Sequence, residues 1–204
     1  MKLSYSPASP YVRKVMVVLH ETGQLDDVEI VPTATTPVAP SADLIGKNPL
    51  GRIPALERDD GPTLFDSRVI CAFLDARGNG GLYPSGKRRW ETLTLEAMGD
   101  GILDSAVNLA YEARFRTEEM RSQPWMDGQW AKISRACAAL NGMWMSHLAG
   151  PLDMGQISIA CALGYLDFRH DARNWRQGND ALADWFTRFD SRPSLAATRP
   201  RDAK

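Results

Sequence analysis

The sequence predicts two domains: a mixed α/β sheet domain over residues 1–78 and an all-helical bundle over residues 87–204, joined by a linker at 79–86. Three observations carry this. The first eighty or so residues alternate between strand-like and helix-like segments. Gly78-Asn79-Gly80-Gly81 and Tyr83-Pro84-Ser85-Gly86 then punctuate the chain, and everything after them is helical in period. A chain of 204 residues is long for one small domain and comfortable for two.

The elements follow in order. Leu3 and Tyr5 alternate with polar residues in a short strand. Pro10 opens a helix with Val12, Val15, Met16 and Leu19 at helical spacing, and Gly23 ends it. Residues 28–31 make a second strand. Residues 32–40 hold three prolines and three threonines and read as a loop, followed by a short helix at 43–47. A hairpin comes next: a strand at 53–57, a turn at Asp59-Asp60-Gly61, and a strand at 63–65. Asp66-Ser67 starts a helix whose inner face is Val69, Ile70, Phe73 and Leu74. The order is βαβ-α-ββα, and one crossover plus one hairpin demands a sheet of mixed direction.

In the second half, a long helix at 88–116 carries two apolar stripes: Leu95, Met98, Ile102 and Leu109, and beside it Leu103, Val107 and Tyr111. Two stripes predict burial on two sides, one at the domain interface and one against a partner subunit of a homodimer. Trp130, Ile133, Cys137, Leu140 and Trp144 form the face of a further helix. Ile157, Ala160, Cys161, Gly164 and Phe168 form another, and Leu182, Trp185, Phe186 and Phe189 a last one. The tail after Pro193 has no periodicity.

Composition narrows the function. The formal net charge is −1 with both signs mixed along the chain, so neither nucleic acid nor an anionic membrane is an expected partner. Cys71, Cys137 and Cys161 are too few and too widely spaced for a disulfide framework or a metal site, and each sits on an apolar helical face. His20, His147 and His170 show no ligand spacing, so no metal is expected. The N-terminus lacks a signal-peptide core, no apolar run approaches the ~20 residues of a membrane span, and the expected location is cytoplasmic.

Three segments have the chemistry of a binding site. Ser6-Pro7-Ala8-Ser9-Pro10-Tyr11-Val12-Arg13 joins the first strand to the first helix. Ser9 at the N-cap is either an ordinary cap or a donor at a helix start, where unpaired N–H groups and the dipole favour an anion. In Asn48-Pro49-Leu50-Gly51-Arg52-Ile53-Pro54-Ala55-Leu56, a proline heads a strand. A cis Ile53–Pro54 bond would aim the N–H and C=O of Ile53 outward for an added peptide strand; an edge-strand proline is the plainer alternative. Asp66-Ser67 can hold an amine and a carboxylate, or simply cap its helix.

Taken together, in this order, these segments resemble the cytosolic glutathione transferases, and the Leu82-Tyr83-Pro84 linker and the stretch from Trp185 to Arg192-Pro193-Ser194 fit as well. The resemblance spans essentially the whole chain and implies a thioredoxin-like N-terminal domain that binds glutathione, followed by a helical bundle. By resemblance, Ser9 contacts the glutathione sulfur, Ile53 with Pro54 pairs the cysteinyl backbone, and Asp66 with Ser67 binds the γ-glutamyl end. Tyr5 and Ser6 compete with Ser9 as the donor. Tyr11, Leu103, Val107 and Tyr111 are expected to line the cleft for a small apolar electrophile. The implied activity is glutathione transfer in detoxification. Glutathione-dependent peroxidase, isomerase or dehalogenase chemistry, or a non-catalytic binding role, are the alternatives.

Three features depart from the pattern. Residues 32–40 hold no basic side chain for the glycyl carboxylate of glutathione, which leaves Lys47 or Arg52. The segment Ser158-Ile159-Ala160-Cys161 matches the family's capping box with cysteine in place of aspartate, and is expected to form half a box. Ser9 and Val12 both lack sulfur, so dithiol exchange is excluded.

Overall fold

The computed structural model describes residues 1–203. The chain divides into two compact units: Met1–Tyr83 together with the residues from Pro193 onward, and Pro84–Arg192.

The first unit is thioredoxin-like, with elements β1 (Lys2–Tyr5), α1 (Pro10–Glu21), β2 (Glu29–Pro32), α2 (Ala42–Lys47), β3 (Ala55–Arg58), β4 (Gly61–Leu64) and α3 (Ser67–Gly78). The strand order is β2-β1-β3-β4. β1 runs parallel to β2, with Leu3 opposite Ile30, and antiparallel to β3, with Leu3 opposite Leu56. β3 and β4 are antiparallel with Leu56 opposite Leu64. The mixed sheet is therefore the expected one. Pro32 and Pro62 fall in the two edge strands, where a missing N–H costs no ladder bond. β3 begins at Ala55, later than residue 53, so Pro54 precedes the strand.

Leu3, Val12, Val15, Val18, Leu19, Leu56, Ile70 and Leu74 are all fully buried and form the core between the sheet and the packed helices α1 and α3. Each such side chain contributes roughly 1.5–3 kcal/mol of transfer free energy. The exit from this unit is fastened by Asp75, a residue the sequence pattern does not single out. Its carboxylate accepts the N–H of Leu82 at 2.8 Å and of Tyr83 at 3.2 Å.

The second unit holds α4 (Arg88–Phe115), α5 (Gln123–Ala139), a π-helical segment (Leu140–Trp144) running into α6 (Met145–Leu148), then α7 (Met154–His170) and α8 (Asp180–Phe189). The centre of the unit is the packing of α4 on α7. Glycine makes the approach possible: a Cβ on Gly99 would lie 2.9 Å from the Ser158 carbonyl carbon, and one on Gly155 would lie 3.1 Å from the Thr92 carbonyl oxygen.

Two expectations are corrected here. Ser158 does not start a helix; it lies inside α7 and is fully buried. The cap is Asp153, whose side chain accepts the Gln156 N–H at 3.2 Å while the Gln156 side chain accepts the Asp153 N–H at 2.8 Å, a complete capping box. The tail after Pro193 is also not irregular. It forms α9 (Pro193–Ala197), packs on α1 and belongs to the first unit rather than the helical bundle. Arg13 Nη2 donates to the Leu195 carbonyl at 3.2 Å and Arg201 N–H to the Pro7 carbonyl at 3.2 Å. Five residues are too few for a helix to hold by itself in water; these long-range bonds hold it.

Candidate functional site

Sheet topology alone gathers the proposed residues. β1 ends at Tyr5, beside the start of its antiparallel neighbour β3, and β4 ends beside that same start. The loop carrying Ser9 follows β1, Ile53-Pro54 precedes β3, and Asp66-Ser67 follows β4, so all three emerge at one end of the sheet.

Ser9 is the N-cap of α1 with extended backbone (φ −85°, ψ 119°), and Pro10 occupies the first helical turn. The Val12 N–H donates to Ser9 Oγ at 3.3 Å. A small cavity of about 40 Å³ is lined by Tyr5, Ser6, Ser9, Arg13, Met16 and Thr198, so all three competing donors border it. Ser6 Oγ accepts from the Ala8 N–H at 3.4 Å.

The segment before β3 is shaped by Asn48, 2 % exposed. Its Nδ2 donates to the Arg52 carbonyl at 2.8 Å and its Oδ1 accepts the Leu50 N–H at 3.0 Å. Gly51 takes φ +60°, a conformation that favours glycine, and its carbonyl accepts from Thr35 Oγ1 at 3.0 Å. The Ile53–Pro54 bond is cis. Among the described residues, no hydrogen bond reaches the N–H or C=O of Ile53.

Asp66 caps α3, its Oδ1 accepting the Arg68 N–H at 2.9 Å and meeting Arg68 Nε at 3.5 Å. The Phe65–Asp66 bond is also cis, which no sequence signal marks. Ser67 follows at the first helical position, where the N–H has no intrahelical acceptor.

Of the two cations considered for a terminal carboxylate, Lys47 is committed. It meets Asp43 and Glu57 at 3.0 Å each, and the hydrogen bond to Asp43, then that to Glu57, raises its pKa above the usual lysine range. The Arg52 side chain is exposed and has no hydrogen-bond or ion-pair partner among the described residues.

The residues expected around the second substrate come from α1 and α4. Tyr11 is half-buried on α1 in the first unit. Val107 and Tyr111 are half-buried on α4 in the second, and Leu103 is fully buried, so it is a core residue and offers no surface. Tyr111 packs on Phe115 one turn on, at a 5.3 Å ring separation, and Tyr165 of α7, a residue outside the stripes read from the sequence, is buried near it. The cysteines are all buried, and burial pushes the Cys137 thiol up to about 12. No cluster that could hold a metal occurs among the described residues. No helix there is long and apolar enough to cross a membrane.

A thioredoxin-like sheet domain followed by a helical domain is the architecture of glutathione transferases. Residues 8–77 match the family model for the glutathione S-transferase N-terminal domain, and residues 123–188 that for the C-terminal domain. The chain is 31% identical over 212 residues, and the full length of both proteins, to the uncharacterized GST-like protein YibF of Escherichia coli (strain K12). A glutathione transferase family member from Pseudomonas fluorescens Pf-5, solved with bound glutathione, superposes with a TM-score of 0.95 at 50% identity, covering 98% of each chain. A second structure from that organism, with bound S-(propanoic acid)-glutathione, gives a TM-score of 0.91 at 48% identity over 98% of this chain and 100% of the other. The chain belongs to the glutathione S-transferase family.

Proposed function

We propose that this protein is a glutathione transferase that binds glutathione at the end of the first unit's sheet and activates its thiol for attack on a small electrophile. The observation that carries the reading is the unpaired backbone of Ile53 beside the cis-proline. It offers one donor and one acceptor to an extended peptide, as an added strand requires. The glutathione bound in the Pseudomonas fluorescens relative supports the same ligand here.

Each residue then has a role. Ile53 pairs the cysteinyl backbone. Asp66 accepts the γ-glutamyl amine on the carboxylate oxygen that Arg68 leaves open, and the Ser67 N–H donates to the neighbouring carboxylate. Arg52, not Lys47, takes the glycyl carboxylate, because Lys47 would have to surrender two ion pairs. Ser9 donates its hydroxyl proton to the sulfur. A free cysteine thiol has a pKa near ~8.5, and lowering it by ~2 units takes roughly 2.7 kcal/mol. A hydrogen bond to a charged group supplies about 1.5–3 kcal/mol and a helix N-terminus up to ~2. The thiol proton leaves to solvent, the thiolate forms a carbon–sulfur bond with the electrophile, and the displaced group departs with the electron pair.

The protein acts in the cytoplasm, as a homodimer; Trp90 on α4, 69 % exposed, is a large apolar side chain outside the core and suits a subunit contact. Calorimetric titration with glutathione, followed by conjugation assays with a panel of model electrophiles, tests the reading. Binding without turnover of any electrophile would favour the non-catalytic alternative, and failure to bind glutathione would reject both.

A further inference from the structure

The start of α4 and the chain between α5 and α7 border an open cleft of about 430 Å³ that lies wholly within the helical unit. Arg88 and Glu91 line it from the first turn of α4, Met143 and Trp144 from the π-helical segment, and His147 from α6. Small-molecule sites occupy roughly 300–1,000 Å³, so the space suits a compact ligand. Trp144 ends the π-helical segment, and such turns are rare and often mark functional sites.

The fold uses only part of the polar lining. The His147 side chain is 8 % exposed, and its Nε2 meets Asp153 Oδ2 at 2.7 Å. That oxygen already accepts from Thr92 Oγ1 at 2.9 Å and Arg88 Nη2 at 3.1 Å, so it accepts from the ring as well, and Nε2 carries the ring proton. Arg88 also donates to the Pro151 carbonyl at 2.5 Å, and its charge is matched by the buried Asp153. These contacts all serve the start of α7.

Nδ1, across the ring, has no part in them and faces Glu91 Oε2 at 3.4 Å. In a neutral imidazole that nitrogen accepts, and so does the carboxylate, so the pair needs a donor between them. A protonated ring supplies one itself; a neutral ring must take it from solvent or a ligand. Glu91 meets no lysine or arginine among the described residues, which leaves one unmatched negative charge in the cleft. The Trp144 ring stands edge-on to His147, with centroids 6.0 Å apart.

We propose that this cleft binds a small primary ammonium carrying an aromatic body. An ammonium has three N–H donors, enough for Glu91 and His147 Nδ1 together, and its charge answers the carboxylate. The Trp144 face attracts a cation and stacks an aromatic ring, and the flexible Met143 packs against what remains. An anionic ligand is disfavoured, because Glu91 would repel it and Arg88 is already held by Asp153.

The test compares 2-phenylethylamine with the neutral 2-phenylethanol by titration calorimetry on the full chain at pH 8, where a free imidazole is neutral and the amine charged. No glutathione is present, so the outcome is separate from the transferase reading. The amine is expected to bind about tenfold more tightly than the alcohol, an advantage that shrinks as salt is raised. Glu91→Gln, at an exposed side chain, is expected to weaken the amine about tenfold and leave the alcohol unchanged. Trp144→Leu is expected to weaken both ligands. Glu119→Gln, at an exposed acid of the same unit outside the cleft, is expected to leave amine binding intact. Equal binding of amine and alcohol would overturn the proposal. So would amine binding that Glu91→Gln or Trp144→Leu leaves untouched, an equal loss in Glu119→Gln, or no binding at all to the folded chain; His147 would then serve only the start of α7.

Discussion

Ser9 Oγ accepts the N–H of Val12 at 3.3 Å, so the cap uses an oxygen lone pair and leaves the hydroxyl proton to donate elsewhere. Capping α1 and binding a thiolate are therefore compatible in one side chain. Ser9→Ala removes both. It should raise the pKa of the bound glutathione thiol by roughly one to two units and slow conjugation at neutral pH, with recovery as pH rises. Glutathione affinity should change little, because Ile53, Asp66 and Ser67 hold the peptide. Thiolate absorbance against pH for Ser9→Ala, Ser6→Ala and Tyr5→Phe checks this. A shift in either rival alone would move the role to that residue, which lines the same cavity.

Lys47 and Arg52 separate by their partners. Arg52→Gln should weaken glutathione about tenfold while leaving the melting temperature unchanged, since the side chain is exposed and unpaired among the described residues. Lys47→Gln should do the reverse: affinity stays, and stability falls by up to ~1 kcal/mol as Asp43 and Glu57 lose their shared cation. Titration calorimetry and denaturant melts on the two variants check both halves. A loss of affinity in Lys47→Gln alone would return the carboxylate to lysine.

Asp153 is the hub of the helical unit. Beyond the capping box it accepts from Thr92 Oγ1 at 2.9 Å and Arg88 Nη2 at 3.1 Å and meets His147 Nε2 at 2.7 Å. Asp153→Ala removes the cap and leaves the buried Thr92 hydroxyl and the His147 ring without this acceptor. The expected loss is roughly 2–4 kcal/mol in a urea melt. Cys161→Ser, at the position where the sequence motif would put the acid, should not reproduce it by loss of a cap, since Cys161 lies mid-helix.

What was readable in the sequence divides along a physical line. Ser9-Pro10, Ile53-Pro54 and Asp66-Ser67 announce themselves because caps and cis-prolines depend on adjacent residues. Ser158 imitates a cap inside α7, while the real box, Asp153 with Gln156 three residues on, is just as local but carries no serine or acidic third residue to mark it as the family's motif. α9 has no period to detect; its stability comes from Arg13, nearly the whole chain away. Leu103 matched an apolar stripe, but periodicity does not separate a cleft wall from a core.

Gly99 and Ser158 set the separation of α4 and α7. Adding a methyl at Gly99 brings it within 2.9 Å of the Ser158 main chain, and backbone cannot swing aside as a flexible side chain would. Alanine has the higher helix propensity by ~1 kcal/mol, so an unobstructed Gly→Ala change would stabilise α4. Here overpacking should win. Gly99→Ala is expected to destabilise by roughly 1–3 kcal/mol, read as a lower melting temperature, whereas Gly101→Ala, which meets nothing within 4 Å on the same helix, should stabilise.

His170 makes the stability of the helical unit depend on pH. Burial, acting first and aided by Arg173 and Arg169, lowers its pKa below the ordinary 6.5, against the opposing hydrogen bond to the Ala106 carbonyl at 2.9 Å. The folded protein thus holds the ring neutral, and the unfolded chain binds a proton more readily. A depressed folded pKa means the contribution is fully present above the unfolded value and is lost as pH falls from there through the folded value. The melting temperature should therefore drop between about pH 7 and about pH 5. His170→Gln keeps an N–H donor for Ala106 and removes the titration, so its profile should be flatter over the same interval. Carboxylates titrate lower and are common to both proteins, so the difference between the two curves isolates the histidine. Parallel profiles would show that the ring is protonated as easily folded as unfolded.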